Sequence, residues 1–214
     1  MGMERTVYRS LDETLYSFRH PSGLRVRFVP KKGYARKFAV LAVDFGSVNT
    51  RFRAPGEKNI TEVPQGIAHF LEHKLFEQEN GNVLGQYAAL GASPNAATGF
   101  SQTYYYFTCT DRFEECLRLL LHFVTHPYLT DENVEKEKGI IEQEIRMYDD
   151  DPYYKGMIQL FRLIYHRNPV RNDIAGSVAD IRALTKETLM QCYRAFYRPE
   201  NMCLTVVGDL EAER

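Results

Sequence analysis

The sequence predicts an α+β fold with a mixed, largely antiparallel sheet and helices packed on it. Segments of strand composition stand near the start, in the middle and at the end of the chain, and helical segments fill most of the intervals between them. The 214 residues include 44% hydrophobic ones, which can supply a sizeable core. The sequence shows no internal repeat, low-complexity tract or linker, so we predict one domain over residues 1–214.

The predicted strands are short segments rich in aliphatic and aromatic residues. They cover residues 15–20, 24–30, 38–46, 102–109 and 202–207. Pro21, Ser22 and Gly23 lie between the first two and favour a turn, so these strands are expected to form a hairpin. The polar segment 49–64 contains a Pro-Gly pair and is predicted to be an exposed loop.

Six further segments are predicted to be helices. They cover residues 66–78, 83–90, 111–126, 130–148, 153–166 and 185–197. In the first of them apolar residues recur at three- and four-residue spacing, the pattern of an amphipathic helix. Gly91 occupies the position in which glycine commonly ends a helix, and Thr130 or Asp131 can cap the fourth.

Composition limits the partners that we expect. Lys plus Arg number 27 and Asp plus Glu 28, a formal net charge of -1, which gives no electrostatic reason to expect nucleic acid or an anionic membrane as a partner. No window approaches the roughly 18 apolar residues of a membrane span, and residues 1–16 lack the apolar stretch of a signal peptide. The expected compartment is therefore cytoplasmic.

The cysteines give no sign of a metal cluster. Cys109, Cys116, Cys192 and Cys203 form no Cys-x-x-Cys pair, which argues against a thiolate zinc site and against a dense disulfide framework. We predict that they are ordinary buried thiols.

The motif His69-Phe70-Leu71-Glu72-His73 lies within the first predicted helix. Positions i and i+4 are roughly 40° apart around a helix, so both imidazoles leave the same face and can converge on one metal ion. Glu72 lies to one side of this pair. From there it can reach a water on the metal without being a ligand itself.

Two histidines leave a hydrolytic zinc site short of one protein ligand, because such sites generally use three and keep the fourth position for water. Glu137 and Glu144 in the fourth predicted helix are seven residues apart and therefore point in nearly the same direction. One of them could give a metal-binding oxygen, and the other could orient a ligand imidazole.

Most other charged residues and histidines have a simpler interpretation. Single histidines on half-buried helices usually pack without binding metal, and this interpretation applies to His20, His122, His126 and His166. Charged residues along a helix most often form a solvated face, and we interpret Glu135 and Glu142 in this way. The acidic run 149–151 is interpreted as a helix end and turn.

Several segments together match the pattern of one known family in the same order. They are residues 66–73, 91–96, the pair Glu137 and Glu144, 197–202 and 207–209. On these residues the sequence resembles the inverted-motif zinc peptidases and, among them, peptidase family M16, the group of pitrilysin, insulin-degrading enzyme and mitochondrial processing peptidase. The resemblance covers nearly the whole chain and implies one unit of the LuxS/MPP-like metallohydrolase type. Residues 74–77 and 166–176 are most similar to the bacterial cytoplasmic members.

The resemblance implies a role for each matching polar residue. His69, His73 and Glu144 are expected to bind one Zn2+ ion per chain. Glu72 is expected to be the catalytic base that takes a proton from a metal-activated water, and Glu137 is expected to support the ligands.

The resemblance also implies how a substrate binds. Asn95, Ala96, Ala97 and Thr98 resemble the family's edge strand, to which an extended peptide adds as a further strand. The expected activity is that of a zinc-dependent endopeptidase acting on peptides or unfolded polypeptides.

Two features depart from the family pattern. His73 and Glu144 are 71 residues apart, somewhat closer than in better-known members, and a shortened loop would accommodate the difference. The chain also resembles only the N-terminal half of a tandem arrangement, so we expect a C-terminal half or a second M16 subunit as partner, with weak turnover in its absence.

Two alternatives stay open at this point. The first is a non-catalytic M16-like protein that binds peptides or serves as a scaffold. The second is a structural unit in which zinc only joins two helices, although closed structural sites prefer four protein ligands rich in cysteine.

Overall fold

The computed structural model of the chain describes residues 2–211. The strands are β1 (Glu4–Tyr8), β2 (Glu13–Arg19), β3 (Arg25–Pro30), β4 (Lys37–Val43), β5 (Arg51–Phe52), β6 (Thr61–Glu62), β7 (Glu77–Gln78), β8 (Gly81–Asn82), β9 (Ser93–Thr98), β10 (Thr103–Cys109) and β11 (Met202–Gly208). The α-helices are α1 (Ile67–Leu75), α2 (Val83–Ala89), α3 (Phe113–Thr125), α4 (Asp131–Asp149), α5 (Pro152–Ile164), α6 (Val178–Ala183) and α7 (Lys186–Phe196). Two 3-10 helices cover Pro169–Arg171 and Pro199–Asn201.

The main sheet has seven strands in the order β1-β2-β3-β11-β4-β10-β9. Neighbouring strands are antiparallel except β3 and β11, which pair in parallel with Leu204 opposite Val26. The last strand in the chain thus lies in the middle of the sheet and joins its two halves. The predicted α+β fold with a mixed, largely antiparallel sheet is confirmed.

The core lies between one face of this sheet and the helices. Leu41 of β4 and Tyr105 of β10 are fully buried on that face. Helices α1 and α3 contact the sheet there, and α1 also contacts α4 and α7. As a result α1 lies in the interior, with Phe70, Leu71 and Leu75 all fully buried. The motif of α1 is therefore held on a helix that packs on several sides.

The six predicted helices are present, and the first is shorter than predicted. It ends at Leu75 rather than at residue 78, because Glu77 and Gln78 form β7 and pair with Asn82 and Gly81 of β8. Gly81 has φ 106, a left-handed conformation that glycine adopts without strain and that the turn requires.

None of the helices within residues 2–211 combines the length and the apolar composition needed to cross a membrane.

Three features of the chain differ from the predictions. β1 is an additional edge strand whose five residues are all exposed, so it lacks the apolar alternation that would indicate a strand. The predicted exposed loop 49–64 contains the β5–β6 ribbon, and its residue Val63 is buried. α6 has only six residues and begins at a capping box between Ser177 and Asp180.

The cysteines are all free, as expected, but not all are buried. Cys109, Cys116 and Cys192 are buried, whereas Cys203 is only partly buried. The prediction of four buried thiols is therefore wrong for Cys203. This residue alternates with the buried Met202 and Leu204 of β11 and so lies on the less covered face of the sheet.

Candidate metal centre

Helix α1 begins at a tightly packed glycine. Gly66, its N-cap residue, has φ 79, and a Cβ atom there would lie 2.2 Å from the carbonyl oxygen of Ala175. Any residue other than glycine would be strained at this φ, and its Cβ atom would clash with the carbonyl oxygen of Ala175. The start of α1 is therefore fixed against the segment that contains Ala175, and the histidines that follow are placed relative to it.

The predicted ligands His69, His73 and Glu144 lie together, although they come from two helices distant in sequence. Nε2 of His69 is 3.6 Å from Oε1 of Glu144, and Nε2 of His73 is 3.4 Å from Oε2 of the same carboxylate. The two imidazole centroids are 4.5 Å apart. One potential ligand atom from each residue lies within 4.8 Å of the others, and within residues 2–211 this is the one such group of three.

The donor set fits a zinc ion. Ligand atoms about 2.0–2.2 Å from a tetrahedral zinc ion are separated from one another by about 3.3–3.6 Å. The separation is 3.6 Å between Nε2 of His69 and Oε1 of Glu144 and 3.4 Å between Nε2 of His73 and Oε2 of Glu144, so each imidazole lies near this range from one of the two carboxylate oxygens. Two imidazole nitrogens and a carboxylate oxygen are also donors that zinc accepts, and three of them leave a position for water.

Glu137 lies behind the imidazole of His73. Its Oε1 is 3.0 Å from Nδ1 of His73, so a proton on Nδ1 is donated to the carboxylate and the lone pair of Nε2 is directed toward Glu144. His69 has no equivalent support. Its Nδ1 is buried and has no hydrogen-bond partner within the described part of the chain. The two histidines are therefore held in different ways.

The surroundings also shift the pKa values of the two histidines in opposite directions. Burial and, to a smaller extent, the neighbouring His73 together lower the pKa of His69 to about 3. Burial lowers the pKa of His73 as well, but the hydrogen bond to Glu137 and the charge of Glu144 outweigh it, so that the pKa is raised. His69 is therefore neutral at neutral pH, which is the form that binds a metal.

Glu72 leaves α1 toward strand β9 and is 9% exposed. Its Oε2 accepts a hydrogen bond of 2.5 Å from Oγ1 of Thr98. Burial raises the pKa of Glu72, while the hydrogen bond from Thr98 and the proximity of His73 oppose the rise. A carboxyl group whose pKa is raised holds a proton more readily than an ordinary one, which suits a group that accepts a proton and returns it.

Two cavities share Glu72 and His73 as lining residues. The smaller has a volume of about 280 Å³ and also contains His69 and Glu144, and the larger has about 770 Å³ and also contains Glu137. The predicted substrate-binding residues all belong to β9 and line these cavities: Asn95 and Ala96 the larger, and Ala96, Ala97 and Thr98 the smaller. β9 thus runs past the centre along both cavities at one edge of the sheet.

Sequence reasoning missed three side chains at this centre. Tyr148 and Tyr154 line the smaller cavity with their rings stacked at 4.8 Å, and Tyr154 donates a hydrogen bond of 2.8 Å to Asp173. Tyr148 follows Glu144 by four residues, so helical periodicity could have indicated its position. Lys74 is fully buried beside the centre. No local pattern indicates this, because lysine is almost always exposed.

Comparison with family models agrees with the resemblance described above. A model of Insulinase (Peptidase family M16) matches residues 56–177, which include the three predicted ligands, and a model of the Peptidase M16 inactive domain matches residues 183–214. The first match alone covers more than half of the chain.

Individual relatives agree with this result. The protein named uncharacterized zinc protease YmfH from Bacillus subtilis is 46% identical over 206 residues, which are 96% of this chain and 48% of that protein. A crystal structure described as an M16-like peptidase from Alicyclobacillus acidocaldarius has a TM-score of 0.89 at 43% identity, covering 100% of this chain and 48% of that one. A protease from Helicobacter pylori has a TM-score of 0.82 at 25% identity, with 93% and 47% covered. The chain spans about half the length of the relatives it matches, and it belongs to peptidase family M16.

Proposed function

We propose that this chain is the zinc-binding half of a metallopeptidase that cleaves peptides at internal bonds. The observation that carries the proposal is the convergence of His69, His73 and Glu144 on one point, with Glu72 facing the same cavity. A zinc ion bound by these residues would supply Lewis acidity, which lowers the pKa of a coordinated water toward about 7 and polarises a carbonyl group. The zinc protease names of the relatives point to the same class of chemistry.

Glu72 is the residue that we propose to move protons. Its carboxylate takes a proton from the attacking water and then delivers that proton to the nitrogen of the leaving amine. Burial raises its pKa, which favours holding the proton between the two steps. The hydroxyl group of Thr98 binds one oxygen of this carboxylate and restricts its orientation.

Strand β9 is proposed to bind the backbone of the substrate. A strand at the edge of a sheet can pair with an extended peptide through main-chain hydrogen bonds, which provide affinity without requiring a particular sequence. The N–H of Ala96 donates to Oδ1 of its neighbour Asn95 at 2.8 Å. We propose that a substrate carbonyl takes over this N–H and releases the Asn95 side chain. Such binding suits peptides and unfolded polypeptides.

A second M16 half is proposed as the partner of this chain. The relatives are about twice as long as the region that they share with it. Both cavities at the metal centre are open to solvent, which leaves room for a second body of protein beside β9. A second half, as a C-terminal continuation or a separate subunit, would hold the substrate against β9 and raise turnover by positioning it.

The experiment that tests the proposal is hydrolysis of a fluorogenic peptide library by the chain alone and together with a second half. We expect turnover that a chelator abolishes and that added zinc restores. The Glu72→Gln protein, loaded with the same amount of zinc, tests the role of Glu72, and the His73→Ala protein, purified in the same way, is the control for contaminating peptidases. Hydrolysis that Glu72→Gln retains at the wild-type rate and that His73→Ala lacks would overturn the assignment of Glu72.

One observation favours a second candidate, a non-catalytic protein that binds peptides. Residues 183–214 match the model named Peptidase M16 inactive domain. This candidate predicts peptide binding without turnover in every combination of halves, whereas the favoured proposal predicts turnover that depends on Glu72. The chain has His69, Glu72, His73 and Glu144. This favours the enzyme, because a protein that only binds peptides has no need of Glu72.

A further inference from the structure

Lys74 is a fully buried lysine at the edge of the metal centre. It follows His73 directly in α1, and its side chain has no exposed area. Burying an ammonium group is costly unless it is paired and hydrogen-bonded, so its partners define what this lysine stabilises. The family resemblance assigned it no role.

The ammonium group of Lys74 has two carboxylate partners. It donates a hydrogen bond to Oε2 of Glu77 in β7, and it lies 3.9 Å from Oε2 of Glu137 in α4. The other oxygen of Glu137, Oε1, is the one that lies 3.0 Å from Nδ1 of His73. Glu137 is therefore placed between an imidazole on one oxygen and an ammonium group on the other.

We propose that Lys74 is a positioning residue for the metal centre: it fixes the carboxylate of Glu137, and through Glu137 it fixes the ring orientation and tautomer of His73. The inference rests on the proposed metal-binding role of His73. Lys74 touches neither the substrate nor the reacting atoms. Its effect reaches the metal through two contacts, the ion pair with Glu137 and the hydrogen bond from His73 to Glu137.

The competing explanation is that Lys74 only joins α1 to the β7–β8 ribbon through Glu77. An ion pair of this kind can be replaced by neutral or apolar side chains with little loss of stability. The two explanations therefore predict different zinc affinities for the double variant Lys74→Met, Glu77→Gln. This variant removes both members of that pair and leaves Glu137 without its cation.

The test measures the zinc dissociation constant by competition with a chromophoric chelator, together with the NMR signals of the histidine ring nitrogens. We expect Lys74→Met and the double variant to bind zinc about tenfold more weakly than the wild type. The Nδ1–H signal of His73 should shift or broaden in both, while the signals of His69 stay in place. Glu77→Gln alone should bind zinc within about twofold of the wild type, because Lys74 and Glu137 remain.

Lys136→Met is the control for charge. Lys136 lies on the exposed side of α4, directly before Glu137 in sequence, and its loss removes the same charge without removing a contact to that carboxylate. Urea unfolding in the presence of a chelator records the stability of each variant, and if Lys74→Met does not fold, the double variant carries the test.

Two results would have different meanings. Wild-type zinc affinity and an unchanged His73 signal in the double variant would overturn the positioning role of Lys74 and leave the proposed function standing. A wild-type chain that binds no zinc would contradict the proposed function itself.

Discussion

The hydroxyl group of Thr98 in β9 donates a hydrogen bond of 2.5 Å to the carboxylate of Glu72 in α1. The strand proposed to bind the substrate and the residue proposed to move protons are therefore joined directly. A peptide that pairs with β9 would bind next to the group that receives the proton, so substrate position and proton transfer are coupled through this contact.

Replacing Thr98 with valine tests that contact. The hydrogen bond favours the charged form of Glu72 and lowers its pKa, so its loss should raise the pKa further above the ordinary value. Since activity requires the carboxylate, the acidic limb of the kcat/KM profile should move to higher pH in Thr98→Val. Thr98→Ser keeps a hydroxyl group and should keep the wild-type limb. An unchanged limb in both variants would exclude this role of Thr98.

The Glu72→Gln variant tests the proton-transfer role. The amide has nearly the same size as the carboxyl group but cannot accept a proton, so kcat should fall by about 100- to 10,000-fold. Glu72 is not among the three clustered residues proposed as ligands, and zinc content should therefore stay at the wild-type level. Elemental analysis and the peptide assay on the same sample check both statements. Loss of zinc in this variant would show that Glu72 does more than exchange protons.

The proposed ligands can be tested against a second histidine pair with the same spacing. The rings of His122 and His126 in and after α3 are 4.5 Å apart, the same distance as those of His69 and His73. No third ligand joins them among residues 2–211. His73→Ala should lose bound zinc after gel filtration, whereas His122→Ala should retain about one ion per chain. Full zinc occupancy in His73→Ala would contradict the assignment.

Part of the proposed metal centre follows from spacing within single helices. His69 and His73 share a helix face by periodicity alone, and Glu137 and Glu144 do so on α4. What periodicity left open was which glutamate faces the imidazole nitrogens. That choice came from the family resemblance, and in the structure Glu144 lies nearest the two Nε2 atoms while Glu137 contacts Nδ1.

The features that sequence reasoning missed depend on contacts between distant segments. β1 is recognisable only through its pairing with β2, since Val7 and Tyr8 are both exposed. Of the two carboxylates that face the buried Lys74, Glu137 lies 63 residues later in the chain. Helical spacing within α1 contains no information about that partner, and a rule that lysines are exposed gives the wrong result.

A stability prediction concerns the contact between the sheet and the chain after α7. The hydroxyl groups of Tyr105 and Tyr197 are 2.7 Å apart, and both residues are buried. Tyr197→Phe leaves a buried hydroxyl group without its partner and should lower the free energy of unfolding by about 1–3 kcal/mol. The double change with Tyr105→Phe should cost less than the sum of the two single changes. Urea unfolding of the three variants checks this, and strict additivity would contradict it. Tyr106→Phe, on the less buried face of β10, should change stability by less than about 0.5 kcal/mol.

The last prediction concerns a salt bridge that holds α4, the helix with Glu144, against α6. Arg182 donates two hydrogen bonds to Glu142, of 2.6 and 3.0 Å, and they lower the pKa of Glu142 below its ordinary value of 4.5. A carboxyl group with a lowered folded-state pKa contributes stability above its unfolded-state pKa and loses it as the pH falls through the folded-state value. Arg182→Met should therefore be less stable than the wild type at pH 7, and the difference should shrink toward zero as the pH falls below 4.5. Urea unfolding at several pH values, with a chelator present so that metal release does not contribute, measures this difference. A difference that stays constant from pH 7 to pH 3 would mean that Arg182 stabilises the helix pair by packing rather than by charge.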